Sequence, residues 1–107
     1  MNRLENSKIL IVGGSGFLSG TFVPRATLRG CQVWTVTRGQ RILPADSVNL
    51  IADRHAKTVF KEAINAADTH WDMVIDCIAF TPEDIQQDIE VFRGLTDHLV
   101  FISTDFV

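Results

Sequence analysis

The chain has 107 residues, of which 46% are apolar and 21% charged, a balance typical of one folded domain and unlike that of a disordered segment. Thirteen acidic residues against ten basic ones give a net charge of −3, which argues against a nucleic-acid-binding surface. The sequence contains no tyrosine, so chemistry that needs a phenol as proton donor is excluded within these 107 residues.

The 107 residues predict neither an export signal nor a membrane helix. The N-terminus lacks the apolar core of a signal peptide, and no apolar run approaches the ~20 residues that a membrane helix needs. Cys31 and Cys77 are too few for a disulfide framework and do not have C-x-x-C spacing. We therefore expect a cytoplasmic protein with two buried, reduced thiols.

The first half of the chain predicts three strands and one helix. Ile9–Val12 is an apolar run typical of a strand buried on both faces, and Gly16–Gly30 has helical spacing despite Pro24. Further strands are predicted at 32–37 and 48–52. The segment between them is rich in turn residues and predicts a loop.

The second half predicts two helices and two strands. Apolar residues recur at helical spacing over 57–67, and residues 72–78 and 98–103 read as strands. Thr81 as N-cap and Pro82 in the first helical position predict the start of a helix that Gly94 ends. Its predicted apolar stripe is Ile85, Ile89 and Phe92.

Alternation of strands and helices indicates an α/β fold with a parallel sheet. Right-handed crossovers leave few topologies, and among them we predict a doubly wound sheet of five strands in the order 3-2-1-4-5.

A glycine-rich turn joins the first predicted strand to the first predicted helix. Gly13 permits a tight turn, and Gly16 would let a diphosphate approach the backbone at the helix N-terminus. The third position of this spacing is Ser19 instead of glycine. A turn that binds nothing remains the alternative, whereas the Walker A motif and the nucleophile elbow do not match.

The end of the second predicted strand indicates which nicotinamide cofactor would fit. Thr37 is followed by Arg38, with Arg41 nearby and no acidic residue to bind a ribose 2′-hydroxyl. A guanidinium binds a phosphate with paired hydrogen bonds, so the pattern favours NADP over NAD. Asp53, after the third strand, could accept a hydrogen bond from adenine.

Five segments together resemble the NAD-dependent epimerase/dehydratase family of extended short-chain dehydrogenases/reductases, and in particular its nucleoside-diphosphate-sugar epimerase branch. They are Lys8–Leu18 (KILIVGGSGFL), Thr37–Gly39 (TRG), Ala52–Arg54 (ADR), Asp72–Asp76 (DMVID) and Val100–Thr104 (VFIST). The resemblance implies a Rossmann-type fold that ends after strand five, with residues 1–107 forming the N-terminal part of the NAD(P)-binding domain and the substrate domain absent.

The resemblance also implies roles for individual residues. Those expected to contact the cofactor are Gly13, Ser15, Gly16, Phe17 and Leu18 at the diphosphate, Thr37 and Arg38 at the adenosine ribose, Asp53 and Arg54 at the adenine, Cys77, Ile78 and Ala79 along the cofactor, and Ser103 at the nicotinamide. Thr104 corresponds to the family's active-site hydroxyl.

The family's Tyr-x-x-x-Lys pair, which supplies the general acid/base, is not in this sequence. The expected function is therefore the dinucleotide-binding half of an epimerase, dehydratase or reductase acting on a nucleotide-sugar-like substrate, inactive by itself and weak in binding the intact cofactor. The alternative is a short non-catalytic binding or regulatory module. A phospho-receiver domain would need acidic residues after strand one, where this chain has Gly13 and Gly14. The scattered histidines indicate no metal site.

An unpaired fifth strand and an exposed apolar helix face promote association. We therefore expect the chain to self-associate through strand five or the Ile85/Ile89/Phe92 face.

Overall fold

A computed structural model describes residues 6–13, 30–38 and 47–102. The described strands are β1 (Lys8–Val12), β2 (Gln32–Thr37), β3 (Val48–Ile51), β4 (Met73–Asp76) and β5 (Leu99–Phe101), and the described helices are α1 (Lys57–Ala66) and α2 (Pro82–Phe92). The five described strands pair in parallel in one sheet with the order β3-β2-β1-β4-β5, which confirms the predicted topology.

The core lies on both faces of this sheet because successive residues of a strand point to opposite sides. Leu10 and Val12 pack with Phe60 of α1 and Phe92 of α2, so both helices cover the same face. The other face carries a second apolar cluster of buried side chains, namely Ile9, Ile11, Cys31, Val33, Ile75 and Cys77. Both cysteines are buried, as predicted.

The helix signals of the sequence are confirmed at the start of α2. The Thr81 side chain accepts a hydrogen bond from the Asp84 backbone, and the Asp84 side chain accepts one from the Thr81 backbone, which forms a capping box with Pro82 beside it. Gly94, two residues after the helix, has φ +77°, as expected of a residue that ends a helix.

The predicted apolar stripe of α2 is wrong in part. Ile85 and Ile89 are exposed, whereas Phe92 is 1% exposed and belongs to the core. The inward face of the helix carries Asp84 and Asp88 together with Phe92. Two carboxylates can lie there because a buried arginine from outside the helix is paired with them, which helical periodicity does not reveal.

Strand four is shorter than predicted because the Asp76 side chain turns the chain. Its Oδ1 accepts a hydrogen bond from the backbone N–H of Ile78 at 2.8 Å, which takes that amide out of the ladder. The predicted helix 16–30 and the predicted loop before β3 lie outside the described residues, apart from Gly30, Arg38 and Ser47. Neither α1 nor α2 is long and apolar enough to cross a membrane.

Candidate dinucleotide cleft

A cleft opens where the carboxyl ends of the parallel strands meet. The chain runs outward from β1 to β3 and then returns to β4 beside β1, and ligands of doubly wound sheets bind at this reversal of strand order. The cleft measures about 270 Å³. Its lining includes Gly13 after β1, Arg38 after β2, Asp53, Arg54 and His55 after β3, and Ile78 and Phe80 after β4.

Gly13 lies at the centre of this arrangement and cannot be replaced without strain. Its φ is +76°, in the left-handed region that glycine tolerates, and its N–H donates to the Val36 carbonyl at 2.7 Å. A Cβ at this position would lie 2.6 Å from Cγ2 of Ile78. The missing side chain therefore lets the segments after β1 and β4 approach each other.

Two groups with opposite charge line the cleft at neighbouring strand ends. Arg38 is exposed, and its guanidinium makes no hydrogen bond or ion pair with the described residues. Asp53 is half-buried, and its Oδ1 accepts from the N–H of His55 at 2.8 Å. The other oxygen of Asp53 has no partner within the described part of the chain, so both residues retain hydrogen-bonding capacity for a ligand.

Arg54 follows Asp53 in sequence but turns away from solvent. It is 3% exposed, and its guanidinium donates to Asp76 Oδ2 at 2.6 Å and to Asp88 Oδ1 at 2.9 Å. It also donates to the backbone carbonyl of Asp84 at 3.0 Å. The expectation that Arg54 borders the adenine stays a prediction, but the hydrogen bonds of its side chain are directed into the protein.

The Arg54 cluster, which we define as Arg54, Asp76, Asp84 and Asp88, brings three carboxylates to one guanidinium. Burial, together with the neighbouring Asp76, raises the pKa of Asp88 to about 8. The pKa of Asp84 is lowered despite a desolvation penalty, because the Phe80 N–H, Arg54 and Thr81 favour its charged form.

Cys77 follows Asp76 and is a poor nucleophile. It is 6% exposed, and burial, with a smaller contribution from Asp76, raises the pKa of its thiol to about 11. The thiol is therefore protonated near neutral pH, and any cofactor contact of Cys77 would involve its backbone.

The structure places part of the predicted site and leaves part undescribed. Gly13, Thr37, Arg38, Asp53, Arg54 and Ile78 lie together at the cleft, with Cys77 and Ala79 on the segment after β4. The remaining predicted residues lie outside the described residues: Ser15, Gly16, Phe17, Leu18, Ser103 and Thr104. The diphosphate side and the candidate catalytic hydroxyl therefore remain predictions from sequence.

The sequence analysis did not predict that Phe80 and His55 line the cleft, or that Asp76 is buried beside Arg54. Phe80 is 71% exposed and His55 is exposed, and both line the cleft. Their position just after β4 and β3 was the available signal, since residues after parallel strands share one edge. Asp76 had no such signal because it reads as an ordinary strand residue.

Within the described segments no group of three His, Cys, Asp or Glu could hold a metal ion.

No family model matches the chain, and no curated protein matches it. Solved structures do match. A protein of Methylobacillus flagellatus, provisionally named an NAD-dependent epimerase/dehydratase, superposes with a TM-score of 0.74 at 25% identity over 92% of this chain and 37% of its own. A Rossmann-fold NAD(P)-binding family protein of Shigella flexneri gives 0.68 at 15% identity, over 91% and 51%.

A third match is a short-chain dehydrogenase of Leptospira borgpetersenii that was solved with bound NAD⁺, with a TM-score of 0.59 at 18% identity over 84% of this chain and 41% of its own. The chain thus spans between about a third and a half of the length of these proteins. Its five-stranded sheet has the Rossmann architecture of epimerase/dehydratase and short-chain dehydrogenase proteins.

Proposed function

We propose that this chain binds the adenosine half of a nicotinamide dinucleotide in the cleft, and that it prefers NADP to NAD. The observation that carries the proposal is that Arg38 and Asp53 line the same cleft at the ends of neighbouring strands, each with hydrogen-bonding capacity left unused by the described residues. Ligands of doubly wound sheets bind at the reversal of strand order, and one of the structural neighbours was solved with bound NAD⁺.

The described residues fit an adenosine group. Asp53 can accept a hydrogen bond from an adenine amino group or a ribose hydroxyl, and Ile78 with Phe80 supplies apolar surface for a ring. Arg38 can bind a 2′-phosphate in a bidentate manner, whereas no acidic residue directly follows β2 to bind a 2′-hydroxyl. This combination favours NADP.

For a longer protein that contains this chain, we propose NAD(P)-dependent epimerase, dehydratase or reductase chemistry on a nucleotide-sugar-like substrate, in the cytoplasm. The nicotinamide would supply hydride transfer, and Thr104 would contact the substrate. These 107 residues contain no tyrosine, so we expect no turnover from them alone. A short non-catalytic binding module is the second candidate, and a Tyr-x-x-x-Lys pair encoded downstream would favour the enzyme.

Calorimetry with the two adenosine halves tests the cofactor preference. We expect 2′,5′-ADP to bind more tightly than ADP, and NADP⁺ more tightly than NAD⁺. The dissociation constant of the intact cofactor should lie above the low-micromolar range. The Arg38→Gln variant should bind 2′,5′-ADP about tenfold or more weakly, as expected for loss of a charge-assisted hydrogen bond, and should bind ADP unchanged.

Arg93→Gln is the matched control, because Arg93 is an exposed arginine after α2 and does not line the cleft. Its affinity for both nucleotides should equal that of the wild type. Tighter binding of ADP than of 2′,5′-ADP would overturn the NADP preference, and failure of both to bind would overturn the proposed function.

A further inference from the structure

The Arg54 cluster lies against the cleft and joins two of its sides. Arg54 follows β3 directly after Asp53, whereas Asp76 ends β4 two residues before Ile78. We propose that the Arg54–Asp76 pair is a positioning device, which holds Asp53 and the turn at Ile78 at a fixed separation and thereby sets the affinity of the cleft for the adenosine half. This inference rests on the proposed function.

One carboxylate makes the connection. Asp76 Oδ2 accepts from Arg54 at 2.6 Å, while Oδ1 of the same group accepts from the Ile78 N–H at 2.8 Å. Asp76 is fully buried, so neither hydrogen bond competes with solvent. A shift of Arg54 is therefore transmitted through a rigid planar group to the backbone at Ile78.

The other end of the connection is anchored on α2. Arg54 donates to Asp88 Oδ1 at 2.9 Å and to the Asp84 carbonyl at 3.0 Å, and its own carbonyl accepts from Gln87 Nε2 at 2.8 Å. The backbone and the side chain of Arg54 are thus both fixed to one helix. Since Asp53 is the preceding residue, its position follows from this anchoring.

Among the three carboxylates, Asp76 lies closest to the guanidinium of Arg54, at 2.6 Å. Three ionised carboxylates would leave the cluster with surplus negative charge, and burial favours the protonated form of Asp88 by raising its pKa to about 8. Asp88 Oδ2 is buried and accepts no hydrogen bond from the described residues. A proton on this oxygen leaves Oδ1 of Asp88 as the atom that accepts from Arg54.

Stability alone does not account for such a cluster. Buried ion pairs contribute little net free energy compared with apolar groups of the same shape, because desolvation offsets their attraction. Directional hydrogen bonds, however, fix the position of the groups they join, and binding groups that are held by such contacts lose less affinity to disorder. The position of the pair beside the cleft fits this second role.

The substitution Asp76→Asn tests the proposal because it changes one atom of the connection. An amide has one oxygen, so it can accept from Arg54 or from the Ile78 N–H but not from both, and its NH₂ group would face a donor. We expect 2′,5′-ADP to bind the folded variant about tenfold more weakly by calorimetry. Arg54→Lys, which keeps the charge but cannot reach Asp76 and α2 at once, should weaken binding similarly.

Two controls separate positioning from general damage. Asp72→Asn makes the same change just before β4, where the carboxylate accepts from the Lys8 N–H. Ile64→Val removes one methylene from a buried side chain of α1 and should lower the free energy of unfolding. Both should retain wild-type affinity when measured well below their unfolding temperatures. Amide NMR signals of Ile78 and His55 should move together in Asp76→Asn and not in the controls.

Each outcome decides one question. Wild-type affinity in folded Asp76→Asn, or in folded Arg54→Lys if Asp76→Asn does not fold, would overturn the positioning role, as would an affinity loss that the Ile64→Val control shares. If the wild type itself binds neither 2′,5′-ADP nor ADP, the proposed function fails. In that case the NMR comparison still shows whether Asp76 couples the two segments, and unmoved His55 signals would overturn the coupling.

Discussion

At the scale of single residues, the Arg54 cluster places charged side chains in the interior of the protein, next to the cleft. Asp88 lies on the inward face of α2 and is fully buried, yet it belongs to no motif. Its presence is explained by Arg54, which is 34 positions away in sequence and 2.9 Å away in space. Such a pair cannot be found from local spacing.

The raised pKa of Asp88 predicts a pH dependence of stability. The value is about 8 in the folded chain against an ordinary value of 3.8, so the folded state holds the proton more tightly than the unfolded state. The resulting stabilisation is complete below about pH 4 and is lost as the pH rises through about 8. The free energy of unfolding should therefore fall between pH 5 and 8, by at most about 1.4 kcal/mol per pH unit for one proton.

Urea unfolding of the wild type and Asp88→Asn across this range checks the prediction. The groups facing Asp88 are Arg54 and Asp76, with Asp84 on the same helix and paired with the same arginine, and the lowered pKa of Asp84 confines its own effect to more acidic solution. The slope should flatten in Asp88→Asn and persist in Glu90→Gln, an exposed position of α2. An unchanged slope in Asp88→Asn would show that another group titrates.

At the scale of elements, α2 is specified locally at its start and by tertiary contacts along its inward face. Thr81, Pro82 and Asp84 form the capping box that their spacing predicts, because these contacts span three residues. The same Asp84 lies 3.6 Å from Nε of Arg54 and so joins the helix start to the segment after β3. A residue of the cap thus contacts the arginine that lines the cleft.

Removal of the cap should cost stability without removing the fold. Thr81→Ala deletes the side-chain oxygen that accepts from the Asp84 N–H at 3.2 Å, and we expect a loss of about 1 kcal/mol in thermal or urea unfolding. Thr58→Ala is the control, because Thr58 is an exposed residue of α1 and has no described side-chain hydrogen bond. Equal losses in both variants would argue against a capping contribution.

At the scale of the whole molecule, apolar surface remains exposed on α2 and β5. Ile85 and Ile89 are 38% and 39% exposed, and Val100 and Phe101 of β5 are exposed to a similar degree. β5 is also the last strand of the described sheet, with no neighbour beyond it among the described residues. Surfaces of this kind favour association with a second copy.

Light scattering tests this association at increasing protein concentration. We expect the wild-type mass to rise above 11.9 kDa, and Ile89→Lys or Val100→Lys to lower it again. Val59→Lys is the control, because it places the same charge on an exposed apolar position of α1. A clean monomer at high concentration would contradict the prediction, and equal effects of all three lysines would indicate a general charge effect.

The sequence predicted the strand order and most element bounds within one or two residues, because hydrophobic periodicity and caps are local signals. It also identified Gly13, Arg38 and Asp53 as candidate site residues, and all three line the cleft because residues that follow parallel strands meet at one edge of the sheet. It did not predict the inward turn of Arg54 or the cleft position of Phe80. Those depend on which side chains the fold brings into contact.

By itself, then, the sequence determined a doubly wound sheet and the edge of that sheet at which the cleft lies, because periodicity, turn residues and strand handedness act over short distances. Only the tertiary structure decided which charges are exposed and which are buried. Arg38 and Arg54 have the same chemistry and each follows a strand, yet one remains available for a phosphate and the other is enclosed by carboxylates from β4 and α2. Burial of a cation depends on partners that are distant in sequence.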